Sequence, residues 1–243
     1  MEMDKLQHFI VTEEDLSKGK ILLIDKPEGW TSFDVVAHIR STLQKKFDRP
    51  KIKVGHGGTL DPLATGLLVI AVGPATKKLS QFQSSDKTYE GIIRLGAVTP
   101  SYDLETEPEQ FAPFEHLTPE DIRGAMQQLT GPQQQLPPLY SAIRSGGERL
   151  YVKARRGEQQ VERKPRQVHI YRFEANKIDL PDVYFTAHVS KGTYIRSLAH
   201  DLGQILGCGA YLAALRRTQS GDFHIDNAID VDTWTRLNTD QAL

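Results

Sequence analysis

The segment 55–66, GHGGTLDPLATG, constrains the backbone of this 243-residue chain more than any other segment does. Four glycines, one proline and two threonines within twelve residues are typical of a tightly specified loop. Its one carboxylate, Asp61, precedes Pro62, which biases Asp61 away from helical backbone angles. His56 lies five residues before Asp61. These residues alone leave two interpretations open: a structural glycine loop with Asp61 as a turn residue, and a loop that presents Asp61 for chemistry.

Several kinds of site are not supported by the motifs. The phosphate-binding patterns GxxxxGK[ST] and GxGxxG are both absent. One histidine and one aspartate, without CxxC or HExxH, make a poor metal site. With a single cysteine, Cys208, and no GxSxG, a nucleophilic triad has no support either.

The composition is that of an ordinary globular protein in a reducing compartment. Hydrophobic residues make up 39% of the chain and charged residues 25%. The single Cys208 cannot form an intrachain disulfide. No apolar run approaches the roughly 18 residues of a membrane span, and the N-terminus lacks the pattern of a secretory signal. We therefore predict a cytoplasmic protein.

Charge is distributed unevenly, although the net charge is only −1. Residues 144–172 contain nine Lys or Arg and three Glu, whereas residues 101–121 contain seven acids and no Lys or Arg. The basic stretch also carries Tyr151 and Tyr171. Basic and aromatic residues together are the composition that follows a phosphate backbone and stacks on bases. Two solvated surface segments are the alternative interpretation.

Strand and helix patterns follow each other without a regular rhythm, which predicts an α+β fold with a largely antiparallel or mixed sheet. Apolar runs and alternating patterns predict strands at 20–25, 67–72, 88–95, 167–173 and 183–189. Caps and periodic apolar residues predict helices after Thr31 or Ser32, from Thr118, and over 194–206 and 211–217. The third helix is predicted to end at Gly207 and to bury Ile195, Leu198, Leu202 and Ile205. The stretch 133–147, rich in Pro, Gly and Gln, is predicted to be a loop.

Two further clusters place aromatic and basic residues together. The segment 190–201, SKGTYIRSLAHD, carries Tyr194 and Arg196 at the start of a predicted helix. A tyrosine can stack on a base, and an arginine can pair with a carboxylate or a phosphate. On these residues alone, the more usual interpretation is that Tyr194 is a core residue and that Arg196 is exposed to solvent. The segment 136–142, LPPLYSA, is a stiff loop that presents Tyr140.

Together these segments resemble the TruB family of tRNA pseudouridine-55 synthases. The match is collinear from Lys20 to Phe223, so the joint order of the motifs is more specific than any one of them. The matching segments are ILLIDKPEGWTS (21–32), GHGGTLDPLATG (55–66), GPATK (73–77), KTY (87–89), PPLYSA (137–142), LYVKARRG (150–157), SKGTYIRS (190–197) and LRRTQSGDF (215–223).

The resemblance implies roles for particular residues. Asp61 falls on the family's essential catalytic aspartate, Tyr89 on the tyrosine that stacks on the target uracil, and Arg196 on the arginine that pairs with the aspartate. Tyr194 is implied to lie against the flipped nucleotide, and His56 to fill the space that the base leaves. Further predicted contacts to the catalytic loop or the substrate are Lys26 with Pro27, Lys77, Tyr140, Arg149, Arg155 and Arg156.

The implied fold is the pseudouridine-synthase fold, a curved mixed sheet with a central cleft. The implied substrate is the T-arm of tRNA. The implied reaction needs no metal and no cofactor. The resemblance also implies no association with a membrane and no obligate protein partner. Residues 1–225 are predicted to form the catalytic domain, with an RNA-gripping thumb insertion at about 136–166. Residues 226–243 are predicted to form a short tail, with a helix over 230–237, in place of the PUA-type RNA-binding module of many members. Gly57 stands where the family usually has threonine, which predicts a looser loop.

Two alternatives of a different kind stay open. The first is a guide-RNA-dependent relative that modifies ribosomal RNA with protein partners. It would need an additional module and partner surfaces. The second is an RNA-binding or chaperone protein on the same fold without activity. Substitution of Asp61 separates this second alternative from an enzyme, because a pure binder has no activity to lose.

Overall fold

The structure, a computed structural model, describes residues 6–141, 143–158 and 161–239. Ala142, Gln159 and Gln160 of the predicted thumb insertion, and the last four residues of the predicted tail, lie outside the described residues. The chain divides into two units. Unit 1 comprises residues 1–87 and 216–243, and unit 2 comprises residues 88–215.

Helices and strands are mixed along the chain, as the sequence predicts. In chain order they are α1 (Glu13–Lys18), β1 (Lys20–Lys26), α2 (Ser32–Lys46), β2 (Val54–His56), β3 (Thr65–Val72), a 3-10 helix (Gly73–Lys78), α3 (Leu79–Ser84), β4 (Lys87–Leu95), α4 (Pro119–Gln128), β5 (Gly131–Gln135), β6 (Arg144–Ser145), β7 (Glu148–Arg149), α5 (Leu150–Arg155), β8 (Arg166–Asp179), β9 (Asp182–Val189), α6 (Ile195–Leu206), β10 (Ala210–Ser220), β11 (Phe223–His224), a second 3-10 helix (Ile225–Asn227), β12 (Ile229–Asp230) and α7 (Val231–Asn238).

The sheet of unit 1 is built around β3. Strands β1 and β2 both pair with β3 in antiparallel fashion, and Ile24 lies opposite Leu68. The last part of β10 pairs parallel with β3, and the short β12 pairs parallel with β1. Residues of β3 are buried on both faces, as the continuous apolar run predicts, because a strand covered on both sides has no polar face.

Helix α2 begins where its capping residues predict. The Thr31 hydroxyl accepts a hydrogen bond from the Asp34 N–H, and the Asp34 carboxylate accepts one from the Thr31 N–H, which satisfies two donors of the first turn. The apolar face of α2 packs in one cluster with Trp234 of α7. Helix α7, capped by Asp230, confirms the helix predicted over 230–237. The predicted inward residues of α2 are all buried: Val35, Val36, Ile39 and Leu43.

The sheet of unit 2 follows the order β10, β4, β9, β8, β5. Strand β8 pairs antiparallel with both β9 and β5. The alternation in β4 buries Tyr89, Ile93 and Leu95 on one face, as predicted. Helix α4 packs against β8 and α6, and α6 ends at Gly207 in the left-handed conformation expected of a glycine stop. Parallel and antiparallel pairs with flanking helices confirm the predicted α+β fold class.

Residues 211–217, predicted to be a helix, instead lie in strand β10. Arg216 and Arg217 pair there with Thr65 and Gly66 of β3. Leucine, alanine and arginine are good helix formers, and the prediction followed that local preference. Pairing with a neighbouring strand overrides the preference, because it satisfies the backbone groups and buries one face of the segment.

Two further sequence predictions are wrong in part: the loop over 133–147 and the burial of Ile205. Residues 133–135 belong to β5, an edge strand that tolerates Pro132 because one side of an edge strand needs no ladder hydrogen bond. Residues 144–145 and 148–149 form a small antiparallel hairpin. Ile205 is 43% exposed, since it lies at the end of α6 beyond its packed face.

Candidate active site

Asp61 lies in the loop that joins β2 to β3 in unit 1. Because β2 and β3 pair antiparallel, the segment between them folds back on itself. The Gly57 N–H donates to the Val69 carbonyl at 2.8 Å, and the Ala64 N–H donates to the Asp61 carbonyl at 3.1 Å. The residue itself is half-buried. The glycine-rich segment therefore forms a closed loop that presents one carboxylate.

Arg217, a buried residue of β10, holds the backbone just before Asp61. Its Nη2 donates to the Gly58 carbonyl at 3.0 Å and its Nη1 donates to the Thr59 carbonyl at 3.3 Å. Its Nε donates to the Leu67 carbonyl in β3 at 2.8 Å. The rigid guanidinium thus ties the loop to the sheet at three points. Arg217 is not among the predicted site residues, because the motif LRRTQSGDF does not show which arginine is buried.

Ser32 and Lys26 hold the backbone at Asp61 itself. The Ser32 hydroxyl, buried at the start of α2, accepts from the Leu60 N–H at 2.8 Å and donates to the Leu60 carbonyl at 3.1 Å. Lys26 Nζ donates to the Pro62 carbonyl at 3.2 Å. Both residues that flank Asp61 are therefore anchored by side chains from elsewhere in unit 1. Such anchoring restricts the backbone positions that Asp61 can adopt.

Lys26 is fully buried at the end of β1. Its Nζ also donates to the carbonyls of Pro27 at 2.8 Å and Trp30 at 2.6 Å. Burial lowers the pKa of Lys26 to about 8, although the negative charge of Asp61 acts in the opposite direction. Lys26 thus joins the turn after β1 to the loop that carries Asp61.

His56 and Gly57 lie at the start of the same loop. The Gly58 N–H donates to His56 Nδ1 at 3.4 Å. Burial lowers the pKa of His56, and the positive charge of Arg217 lowers it further, so the imidazole is neutral at physiological pH. The loosening expected at Gly57 is offset by packing. A Cβ there would lie 2.6 Å from Cβ of Phe82, so Phe82 fills the space that a threonine side chain would need.

Arg196 lies in the first turn of α6 in unit 2, and its side chain is only 4% exposed. Its Nη1 donates to the Ser101 carbonyl at 3.0 Å and its Nη2 donates to the Tyr140 carbonyl at 2.9 Å. Its Nε lies 3.6 Å from Oδ2 of Asp103, which is also buried. Asp103 is a buried counter-charge that is not among the predicted site residues, because its acidic stretch, 101–121, has the composition of solvated surface.

Tyr194 is the residue that caps α6, and its backbone is held from β5. The Tyr194 N–H donates to Gln135 Oε1 at 2.8 Å, and Gln135 Nε2 donates to the Tyr194 carbonyl at 3.1 Å. Gln135 is buried, so this pair of bonds fixes where the helix starts. The Tyr140 carbonyl accepts a hydrogen bond from Arg196. The sequence predicts a substrate contact for Tyr140 and does not indicate this backbone role.

Tyr89 lies on the buried face of β4 and is 9% exposed. Gly91, two residues on, allows a close approach, since a Cβ there would lie 2.3 Å from the Ala214 carbonyl oxygen. The stacking of Tyr89 on a base and the pairing of Arg196 with Asp61 stay predictions.

The arginines predicted to bind phosphate lie on the surface around α5. Arg155 pairs with Glu105 at 2.7 Å, and Arg156 pairs with Glu148 and with Glu158. Both arginine side chains are more than half exposed, so these ion pairs are weak and can be exchanged for phosphate at low cost. Arg149 is exposed beside them at the end of β7.

Lys77 is not brought close to Asp61. It is exposed in the 3-10 helix that follows β3, whereas Asp61 precedes β3. The eight residues of β3 span about 26 Å at the usual rise of a strand. The predicted substrate contact of Lys77 would therefore lie at a different part of the substrate from the predicted contact of Asp61.

Within 6–141, 143–158 and 161–239, no three or more His, Cys, Asp and Glu side chains are grouped so as to hold a metal ion. Among the helices of the same residues, none is long and apolar enough to cross a membrane.

Two family models together match residues 41–241 of the chain. Residues 41–195 match the model of the TruB family pseudouridylate synthase (N terminal domain), and residues 196–241 match the tRNA pseudouridylate synthase B C-terminal domain. The tRNA pseudouridine synthase B of Chloroherpeton thalassium is 53% identical over 210 residues, which are 86% of this chain and 86% of that protein. The protein of the same name from Flavobacterium johnsoniae is 48% identical over 222 residues, 91% of this chain and 96% of that protein.

Solved structures share the fold. A chain in the crystal structure of a Cbf5–Nop10–Gar1 complex superposes with a TM-score of 0.69 and 31% identity over 95% of the present chain. The present chain spans 59% of the length of that chain. The family models, the curated relatives and the shared fold agree, and the chain belongs to the TruB family of pseudouridylate synthases.

Proposed function

We propose that this protein converts the T-loop uridine of tRNA, position 55, to pseudouridine, with Asp61 as the essential carboxylate. Relatives that carry the name tRNA pseudouridine synthase B, at 44–53% identity, match most of the chain. The observation that carries the role of Asp61 is the anchored loop around it, in which Arg217, Ser32 and Lys26 bond the backbone between Gly58 and Pro62. Catalytic groups need such support, because a misplacement of about 1 Å can cost about a hundredfold in rate.

The proposed reaction is an isomerisation, so its atoms balance without a co-reactant. The bond from N1 of uracil to C1′ of ribose breaks, the ring turns, and a bond forms from C5 to C1′. The proton on C5 is lost and N1 gains one. An ionised Asp61 has three routes into this sequence: attack on the sugar, attack on the ring, or removal of the 2′-proton. A positive Arg196 near the carboxylate would favour its ionised form.

The target base lies in a folded RNA loop, so the enzyme has to extrude it at a cost of a few kcal/mol. In our proposal Tyr89, Tyr194 and His56 offset this cost by stacking. The lowered pKa of His56 suits this role, since a neutral ring can fill the space left in a base stack without the burial of a charge.

Sequence identity favours the tRNA for which those relatives are named over a function within a complex of protein partners. The chain of the Cbf5–Nop10–Gar1 complex is 31% identical to this protein, well below the relatives named for tRNA. A substrate that forms a complete T-arm, without guide RNA or protein partners, therefore tests the proposal directly.

The test is incubation of the purified protein with a T-stem-loop RNA, followed by chemical mapping of pseudouridine. We expect conversion at the T-loop uridine, also in the presence of EDTA. The Asp61→Asn variant is expected to lose turnover while its RNA affinity stays within about tenfold, or roughly 1.4 kcal/mol. The matched control is Asp232→Asn, which removes an exposed carboxylate outside the family motifs and should leave turnover unchanged. Turnover by the Asp61→Asn variant would contradict the proposal.

A further inference from the structure

Tyr102 in unit 2 has a backbone conformation that suits glycine rather than an aromatic residue. Its φ angle is +65°, in the left-handed region. An aromatic side chain disfavours this region, and unlike asparagine or aspartate it has no polar group that bonds to the local backbone. Such a conformation persists only where surrounding contacts over-determine it.

The strained residue lies between two groups that bind Arg196. Ser101, before it, provides the carbonyl that accepts from Arg196 Nη1, and Asp103, after it, provides the buried carboxylate near Nε. The left-handed turn at Tyr102 directs both groups toward one guanidinium. The hydroxyls of Thr99 and Ser101 both donate to the Asp103 carbonyl, at 2.7 and 3.0 Å, which closes the turn.

The ring of Tyr102 is stacked on the imidazole of His200. The ring centroids are 3.9 Å apart and the planes are inclined by only 10°. His200 lies four residues after Arg196, one turn further along α6. Helix α6 therefore carries both Arg196 and the imidazole that packs on Tyr102, the residue between the two partners of Arg196.

The surroundings of His200 fit a packing role. Its Nδ1 has no hydrogen-bond partner among the residues that the structure describes. Burial lowers its pKa, and the positive charge of Arg163 lowers it further, so the ring is neutral at physiological pH. A neutral imidazole stacks face to face on tyrosine without the burial of a charge.

We propose that Tyr102 and His200 are positioning residues that hold Ser101 and Asp103 in place and so orient Arg196 for the reaction. The inference rests on the proposed role of Arg196 and goes beyond it, because neither ring is assigned a contact with RNA. Loss of the stack lets the left-handed turn relax, which moves both partners of the arginine.

The test compares His200→Leu, which keeps apolar bulk without a ring, with His200→Phe, which keeps a stacking ring. Single-turnover rates and RNA affinities are measured with the T-stem-loop. We expect His200→Leu to slow the conversion of bound RNA by about tenfold to a hundredfold, with affinity nearly unchanged. His200→Phe should restore most of the rate. If His200 only supported folding, His200→Leu would change the urea midpoint of unfolding but would not lower the single-turnover rate while leaving RNA affinity nearly unchanged.

A second pair of variants tests whether His200 acts through Tyr102. Glycine adopts a positive φ without strain, so in the Tyr102→Gly background the turn needs no stack to hold it. His200→Leu should then cause no further loss of rate. An equal loss in both backgrounds, or a normal rate for His200→Leu in the wild-type background, would overturn the inference.

The same assay includes the wild type and Asp61→Asn, which test the proposed function independently. An active wild type with an inactive Asp61→Asn variant establishes that function, and the His200 variants then decide the inference alone. Should His200→Leu not fold, the pair Tyr102→Leu and Tyr102→Phe makes the same comparison from the other side of the stack. An inactive wild type would overturn the proposed function and this inference with it.

Discussion

Replacement of Arg217 with lysine should show how far the anchored loop supports Asp61. Lysine keeps the positive charge but carries one ammonium group, which cannot reach three carbonyls that point at a guanidinium from different directions. Arg217 donates to Gly58, Thr59 and Leu67 through three separate nitrogens. We therefore expect two of the three carbonyls to lose their partner in the Arg217→Lys variant.

The magnitude follows from those lost bonds. An unpaired buried carbonyl costs about 1–3 kcal/mol, and less where water reaches it. Two of them lower the free energy of unfolding by up to roughly 2–6 kcal/mol. Arg216→Lys is the matched control, since Arg216 is the next residue, is 41% exposed and pairs with Asp25 in a half-exposed ion pair. That change should cost about 0–1 kcal/mol.

Urea unfolding and single-turnover rates measure the two consequences separately. Arg217→Lys is expected to lower the unfolding free energy and to slow conversion of bound T-stem-loop by about tenfold to a hundredfold. At least one of the released carbonyls belongs to Gly58 or Thr59, which lie three and two residues before Asp61. The Arg216→Lys control should change neither quantity much. If the two variants unfold at the same urea concentration and react at the same rate, Arg217 does not hold the loop.

Three further predictions concern other parts of the molecule. Joint replacement of Arg155 and Arg156 by glutamine should weaken tRNA binding and reduce its salt slope by about 0.7 to 0.9 per lost phosphate contact. Arg123→Gln, at an exposed residue of α4 outside the basic stretch, should change neither quantity. An unchanged slope for the double variant would favour the solvated-surface interpretation of residues 144–172. Tyr89→Phe should retain single-turnover activity if only stacking matters, a contribution of about 1–3 kcal/mol per base, and should fail like Tyr89→Leu if the hydroxyl takes part in proton transfer. The pKa of Lys26 is about 8 in the folded protein against 10.5 unfolded, so the unfolded state binds more protons between these values. Relative to Lys26→Met, wild-type stability should then rise with pH across that window, by up to about 1.4 kcal/mol per pH unit, and a flat difference would show that Lys26 is not desolvated.

Local signals in the sequence were sufficient for most helices and strands. Thr31 with Asp34, and Thr118 with Pro119, start α2 and α4 where predicted, because a cap satisfies backbone donors within the same few residues. The continuous apolar run of β3 and the alternation of β4 similarly reflect which faces become buried. The motifs also placed Asp61 in a closed loop and Arg196 at the start of a helix.

Only the tertiary structure decided which distant groups meet. Residues 211–217 have the composition of a helix but become a strand, because pairing with the neighbouring strands β3 and β4 outweighs a local preference of a few tenths of a kcal/mol per residue. Arg217 and Asp103 look like ordinary surface charges in the sequence, yet both are buried against specific partners. The partners of Arg217, Gly58 and Thr59, lie more than 150 residues earlier in the chain. Local propensity carries no information on such pairs, because the bonds form only once the fold has brought their backbone groups together.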